Sequence, residues 1–401
     1  MNKPTRARTL TGTALVLAAS MALTACGGNG DAPSSGAEPG KQTKSGEAAT
    51  VKDPLVASYD GGLYVLDGET LKPAKTIELP GYNRVNPAGD KDHVVISTAT
   101  GFRVFDAARQ KFTDAEFRGS KPGHVVRHGG KTVLFTDGTG EVNIFAPADL
   151  AGGKQPESRS YTSAEPHHGV AIELADGELL STLGTEDKRT GALVLDENNK
   201  EIARAENCPG VHGEAAAQDD IVGLGCEDGV LLYKDGKFLK VDAPGDYARI
   251  GNQAGSDVSP ILLGDYKTDP GAELERPTRI SLIDTRTAKM KLVDIGTSYS
   301  FRSLARGPHG EALVLGTNGV LHVIDPETGK VEKRIDAVGN WTEPLDWQQP
   351  RPTLFVRDHT AYVSDPGKRQ LHAFELDSGN RLASVTLPRG TNELSGTVSG
   401  H

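Results

Sequence analysis

From about residue 51 onward the chain repeats one hydrophobic pattern: a short alternating apolar run, a turn rich in Gly and Asp, then a second run ending in aliphatic side chains and often Asp. Alternation with a period of two puts successive side chains on opposite faces of an extended strand, so each phrase predicts a β-hairpin. Leu55 opens the first phrase with LVASYDGGLYVLD, His93 the second with HVVISTATGFRVFD, and Thr132 the third with TVLFTDGTGEVNIF. Further phrases begin at Leu179, Ile221, Ile261, Ala312 and Ala361. Their spacing, roughly 40 to 50 residues, is that of β-propeller blades.

Segments following the phrases, such as TLKPAKTIEL, KVEKRIDAV and RLASVTL, read as outer strands, and segments preceding them as inner strands. Each unit is then a four-stranded sheet that cannot bury both faces alone, so the units must stack in a ring around a central channel. The pattern predicts an all-β fold, a β-propeller of eight four-stranded blades, occupying residues 51–401 as a single domain. Seven blades is the alternative, because the terminal phrases must share a blade or close the ring with terminal strands. Helical periodicity is essentially absent.

Composition agrees: 48 Gly, 23 Pro and only 36% hydrophobic residues suit many tight turns. With 44 basic against 54 acidic side chains the formal charge is −10, and no basic block is present. That excludes nucleic acid as the first expected partner. After the first 25 residues no apolar run approaches the ~20 residues needed to cross a bilayer.

The N-terminus reads as an address. Lys3, Arg6 and Arg8 precede an apolar stretch from Leu10 to Leu23, the form of a secretory signal. Leu23-Thr24-Ala25-Cys26 resembles the bacterial lipobox, which makes residues 1–25 a lipoprotein signal peptide and Cys26 the acylated residue. Residues 26–50 contain almost no large apolar side chain and are expected to be a flexible linker. The expectation is an exported monomer on the outer face of the bacterial cytoplasmic membrane, or its periplasmic equivalent, touching the membrane only through its lipid. In that oxidising setting Cys208 and Cys226 default to a disulfide, with free thiols or a thiolate metal site as the alternative.

Aligning the phrases on their second strand brings Arg84, His124, His168, His212, Asn252, Arg302 and Arg351 to the same position, the start of the inner strand. Three histidines in three consecutive units, in KPGHVV, EPHHGV and PGVHGE, are what a metal site in the channel mouth needs. Zn²⁺ accepts neutral imidazole nitrogen in tetrahedral coordination. Glu214, the neighbouring His167, a thiolate or water are candidates for the fourth position. Adjacent residues on a strand point to opposite faces, so only one of His167 and His168 is expected to reach the axis.

Among the other histidines, His128 and His309 read as exposed turn residues, and His93, His322, His359 and His372 as structural. Trp341 and Trp347 read as packing aromatics. Arg84, Asn252, Arg302 and Arg351 are candidate ligand contacts on the ring, and they motivate a rival function: a metal-free propeller that binds an anion. A zinc-dependent hydrolase with Glu214 as general base is the other rival, although neither G-x-S-x-G nor H-E-x-x-H occurs.

Several stretches carry a family resemblance: EPHHGVAIELADGELLSTLGTEDKRTGALVLD from Glu165, CPGVHGEAAA from Cys208, RIGNQAGSDVSP from Arg249, YSFRSLARGPHGEALVLGTNG from Tyr299 and TEPLDWQQPRPTLFV from Thr342. Through them the chain resembles the AztD-type zinc metallochaperones, exported β-propellers that partner the substrate-binding protein of a zinc ABC transporter. The likeness runs from about residue 53 to 390. It implies a protein that is not an enzyme, binds Zn²⁺ outside the membrane and hands it to that binding protein. It also implies His124, His167 or His168, and His212 as the metal-binding residues. One departure is that residues 27–92 contain no histidine, where some relatives carry a histidine-rich N-terminal segment.

Overall fold

The computed structural model describes residues 50–398. Residues 1–49, which include Cys26 and the segments read as signal peptide and linker, lie outside the described residues. Within them, every strand belongs to one of eight four-stranded antiparallel sheets, and the only helical turns are two short 3₁₀ segments, Pro147–Gly152 and Gln218–Asp220.

All eight phrases became the two middle strands of a blade. Leu55–Tyr59 and Gly62–Leu66 are buried on both faces, because neighbouring blades cover them on either side. This two-sided burial explains why the middle strands are almost continuously apolar. Outer strands keep a wet face and alternate: Val331–Asp336 and Arg381–Thr386 expose every second side chain. The core is correspondingly a set of interblade layers, as where Val56, Leu63 and Val65 pack on Val94, Ile96 and Phe105 of the next blade.

The ring is closed by the far end of the chain. Glu393–Gly396 pairs with Leu55–Ser58 and becomes the inner strand of the first blade, whose other three strands lie near the beginning. The seven-blade alternative is thereby excluded. Inner strands of blades 2 to 8 are Arg84–Pro87, Pro122–His128, Ala171–Glu173, His212–Ala217, Gln253–Ala254, Leu304–Arg306 and Leu354–Arg357. All begin at the same face, here the upper face, and turn into their hairpins at the lower one. No helix among the described residues is long and apolar enough to cross a membrane.

Candidate metal centre in the channel mouth

His124, His168 and His212 come from three consecutive blades and converge at the upper face. One ring nitrogen from each lies within 4.8 Å of the other two. Ring centroids are 5.0 Å apart for His168 and His212, 5.3 Å for His124 and His168, and 5.6 Å for His124 and His212.

Two of the three positions are shaped by β-bulges. Pairing of the His124 strand with its neighbour shifts register between Pro122 and Val125, and that of the His212 strand between His212 and Glu214. A bulge bends the strand and re-aims the side chain beside it. Gly213 has a left-handed φ of +72°, and a Cβ there would stand 2.4 Å from the Gln253 side chain, so this bulge requires glycine. Gly123, next to His124, has no room for a Cβ either, because the Asp137 carboxylate would lie 2.1 Å away.

Partners on the far side of two rings set their tautomers. His212 Nδ1 lies 2.5 Å from the Gly251 carbonyl oxygen, which can only accept, so Nδ1–H donates and Nε2 keeps its lone pair. His168 Nδ1 is held at 2.5 Å by the Asp137 carboxylate, so its Nδ1–H donates as well and Nε2 is the nitrogen turned toward the cluster. The two Nε2 atoms then face each other at 3.0 Å. At that distance a single proton can be shared between the two nitrogens, and a divalent cation that displaces it would take both as ligands. Carbonyl and carboxylate partners behind metal-ligating imidazoles are the usual second layer of such sites.

Protonation is disfavoured at the same place. Burial, followed by repulsion from His212 and His168, pushes His124 well below the ordinary histidine range. Burial and the neighbouring His168 push His212 down to about 3. The Glu214 carboxyl stands 3.8 Å from His124 Nδ1, and burial raises its pKa to about 8. Glu214 also lines a cavity of about 890 Å³ that reaches the lower face past Arg127, His128 and Asp257.

The remaining sequence candidates are placed elsewhere. His167 is buried against Phe135, and its nitrogens bond the Glu165 carbonyl at 2.8 Å and Thr182 Oγ1 at 3.1 Å, so it is not part of the cluster. Cys208 and Cys226 are joined in a disulfide that ties the segment before His212 to the end of the strand pairing with it. Neither is therefore a thiolate ligand. Asn252 is taken up by Asp265, through its side chain at 2.9 Å and its backbone N–H at 3.1 Å. Arg302 pairs with Glu393 at 2.6 Å, and Arg351 with Glu343 at 2.7 Å, with all four side chains almost fully buried. Arg84 lies 3.5 Å from the same Glu393. His128 differs from the exposed turn residue expected, since it is largely covered and hydrogen-bonded to the Asp220 carboxylate. Trp347 is half exposed, edge-on to Tyr82 at 5.2 Å.

Asp137 and the Gly251 carbonyl escaped the sequence reading. Asp137 sits in the DGTG turn between the middle strands Lys131–Thr136 and Glu141–Phe145. Turns at that point lie on the upper face with the starts of the inner strands, and this is the signal that could have found it.

Fold and site together define an eight-bladed β-propeller whose channel mouth gathers three imidazoles from consecutive blades. Known proteins resemble the chain in sequence and in fold. The chain is 26% identical over 292 residues to the zinc chaperone AztD of Citrobacter koseri, a match covering 70% of this chain and 67% of that protein. Two solved structures of Citrobacter koseri AztD, one of them the apo form, superpose with a TM-score of 0.73 at 21% identity, covering 86% of this chain and 96% of theirs. The dihydro-heme d1 dehydrogenase NirN shares the fold more distantly, with a TM-score of 0.57 at 13% identity over 89% of this chain and 77% of its own. No family profile matches the chain. The AztD resemblance read from the EPHHG and CPGVHGE stretches thus holds in sequence and in fold.

Proposed function

We propose that this protein is an extracytoplasmic zinc chaperone that holds Zn²⁺ on His124, His168 and His212 and passes it to the substrate-binding protein of a zinc ABC importer. The observation that carries the proposal is the pair of Nε2 atoms turned toward each other at 3.0 Å by Asp137 and Gly251 behind them, with a third imidazole beside them. Similarity to a protein named as a zinc chaperone supports zinc as the cargo.

Transfer then proceeds by ligand exchange. Three imidazoles and one replaceable ligand leave Zn²⁺ able to accept a side chain of the incoming protein before its own ligands depart, so free aqueous zinc is never needed. His168, whose side chain is 45% exposed, is the accessible edge from which exchange starts. Acylation at Cys26 would keep the chaperone beside the importer and raise its effective concentration there. Arg302 and Arg351 are neutralised by buried carboxylates, which disfavours the rival anion-binding function.

Zinc titration with elemental analysis tests the proposal, comparing the parent chain with a variant carrying H124A, H168A and H212A. Loss of a tightly held zinc in the variant is expected. Zinc should also reach the importer's binding protein faster than it reaches a chelator through free solution. Equal zinc binding by the two chains would overturn the assignment, and transfer no faster than release to the chelator would overturn the handover.

A further inference from the structure

A second group of metal-type ligands lies at the lower face, at the far ends of the inner strands. His309 sits in the turn between Leu304–Arg306 and Ala312–Leu315 of blade 7. His359 occupies the turn between Leu354–Arg357 and Thr360–Asp365 of blade 8, and Asp377 follows Gln370–Glu375 of the same blade. Sequence reading had assigned the first histidine to an exposed turn and the second to structure.

The three side chains point at one another. His359 Nδ1 is 2.8 Å from Asp377 Oδ2, His309 Nε2 is 3.9 Å from Asp377 Oδ1, and one ligand atom from each lies within 4.8 Å of the others. Two ligands bound at ~2.1 Å to a tetrahedral ion stand about 3.4 Å apart, so these spacings bracket the required value. Closing on an ion needs only small rotations of side chains that are 51 to 64% exposed.

Their backbones are anchored while their side chains are not. The Leu376 N–H donates to the His359 carbonyl at 2.9 Å, and the Lys333 ammonium donates to the Leu376 carbonyl at 2.8 Å and to that of Asp377. The His309 N–H donates to the Glu311 carboxylate at 3.0 Å. Lys333 thus engages main-chain oxygen and leaves the Asp377 carboxylate to the histidines. Other surface aspartates, such as Asp325 and Asp284, use their carboxylates to cap backbone N–H groups of their own turns. The Asp377 carboxylate bonds His359 and otherwise faces His309 at 3.9 Å.

We propose that His309, His359 and Asp377 form a second divalent-metal site, for Zn²⁺ or another borderline first-row ion. Two imidazoles and one carboxylate suit such ions and leave further positions to water or to a ligand from another molecule. The site bridges blades 7 and 8 and its side chains are more than half exposed, so it exchanges its ion faster than the channel-mouth cluster. It shares no residue with that cluster and does not depend on the chaperone function.

Equilibrium dialysis of the full chain against Zn²⁺, with elemental analysis, tests it in three proteins: the parent, H309A/H359A, and the H124A/H168A/H212A variant. The parent is expected to bind two ions. H309A/H359A should lose the weaker one, and the channel-mouth variant should keep it. D377A, altered on a different turn, should also lose occupancy of the weaker site. If H309A/H359A and D377A bind as many ions as the parent at every zinc concentration, the proposal is overturned. Failure of the channel-mouth variant to lose an ion would instead count against the chaperone site alone.

Discussion

The channel mouth has two halves built from the same structural position and finished in opposite ways. Across blades 3, 4 and 5 the inner strands start with imidazoles, two of which, His168 and His212, have their outward nitrogens fixed by partners while their inward nitrogens have only each other. Across blades 7, 8 and 1 the corresponding positions hold Arg302, Arg351 and Glu393, and every charge there is answered within the protein. Phe301 adds to this closure, with both guanidinium groups 4.9 Å from its ring. An equivalent site in a repeat protein is therefore a geometric opportunity. Whether it binds something depends on whether its polar groups are already satisfied.

Removing one member of a satisfied buried pair should damage the fold and spare the metal. Glu343→Ala leaves Arg351 buried without its carboxylate and is expected to cost about 3–5 kcal/mol, read as a fall in the denaturant midpoint, while zinc stoichiometry stays unchanged. Zinc loss as complete as in the triple-histidine variant would show that the two halves do not act independently.

Asp137→Asn should do the reverse. It keeps the size of the group behind His168 but removes its charge, and zinc affinity should drop by about 10–100-fold in a chelator competition with the denaturant midpoint little changed. An unaltered affinity would mean that the Asp137 contact does not orient His168 for metal.

Glu214 gives the smallest and most specific signal. With its pKa raised to about 8, the carboxyl carries a proton at pH 7 in the metal-free protein. A cation bound beside it favours the carboxylate, so zinc binding at pH 7 should release about one proton from this residue, fewer as pH rises past about 8. The Glu214 share of zinc affinity therefore strengthens as pH rises toward 8. Calorimetry in buffers of different ionisation enthalpy measures the release, and Glu214→Gln should abolish that increment.

The propeller was readable because its middle strands are buried on both faces, and that burial imposes a conspicuous apolar rhythm at regular intervals. Inner strands are harder to see: Gln253–Ala254 is two residues long and Ala171–Glu173 three, too short to show alternation. Counting back from the hairpins still located His124, His168 and His212, since the ring residue falls between 7 and 11 residues before the second strand in every one of blades 2 to 8. Other features of the mouth depend on residues far apart in sequence. Glu393 stands 91 residues from Arg302, and it occupies the one ring position that the alignment of phrases left blank, because its strand belongs to the first blade. The pairing of His309 with His359 and Asp377 likewise needs two blades in contact, which no local spacing reveals.

Closure of the first blade by Glu393–Gly396 also imposes an order in time. Contacts such as Leu55 with Gly396 join points separated by most of the chain, and loop entropy makes such pairings the slow ones to form. The three blades that carry the histidines are consecutive, so they can assemble from a continuous stretch before the ring shuts. Glu393 arrives with the final strand, and only then does Arg302 acquire its counter-charge. A chain made from its N-terminus onward can thus shape its metal-binding half early, while the opposite half waits for its last strand.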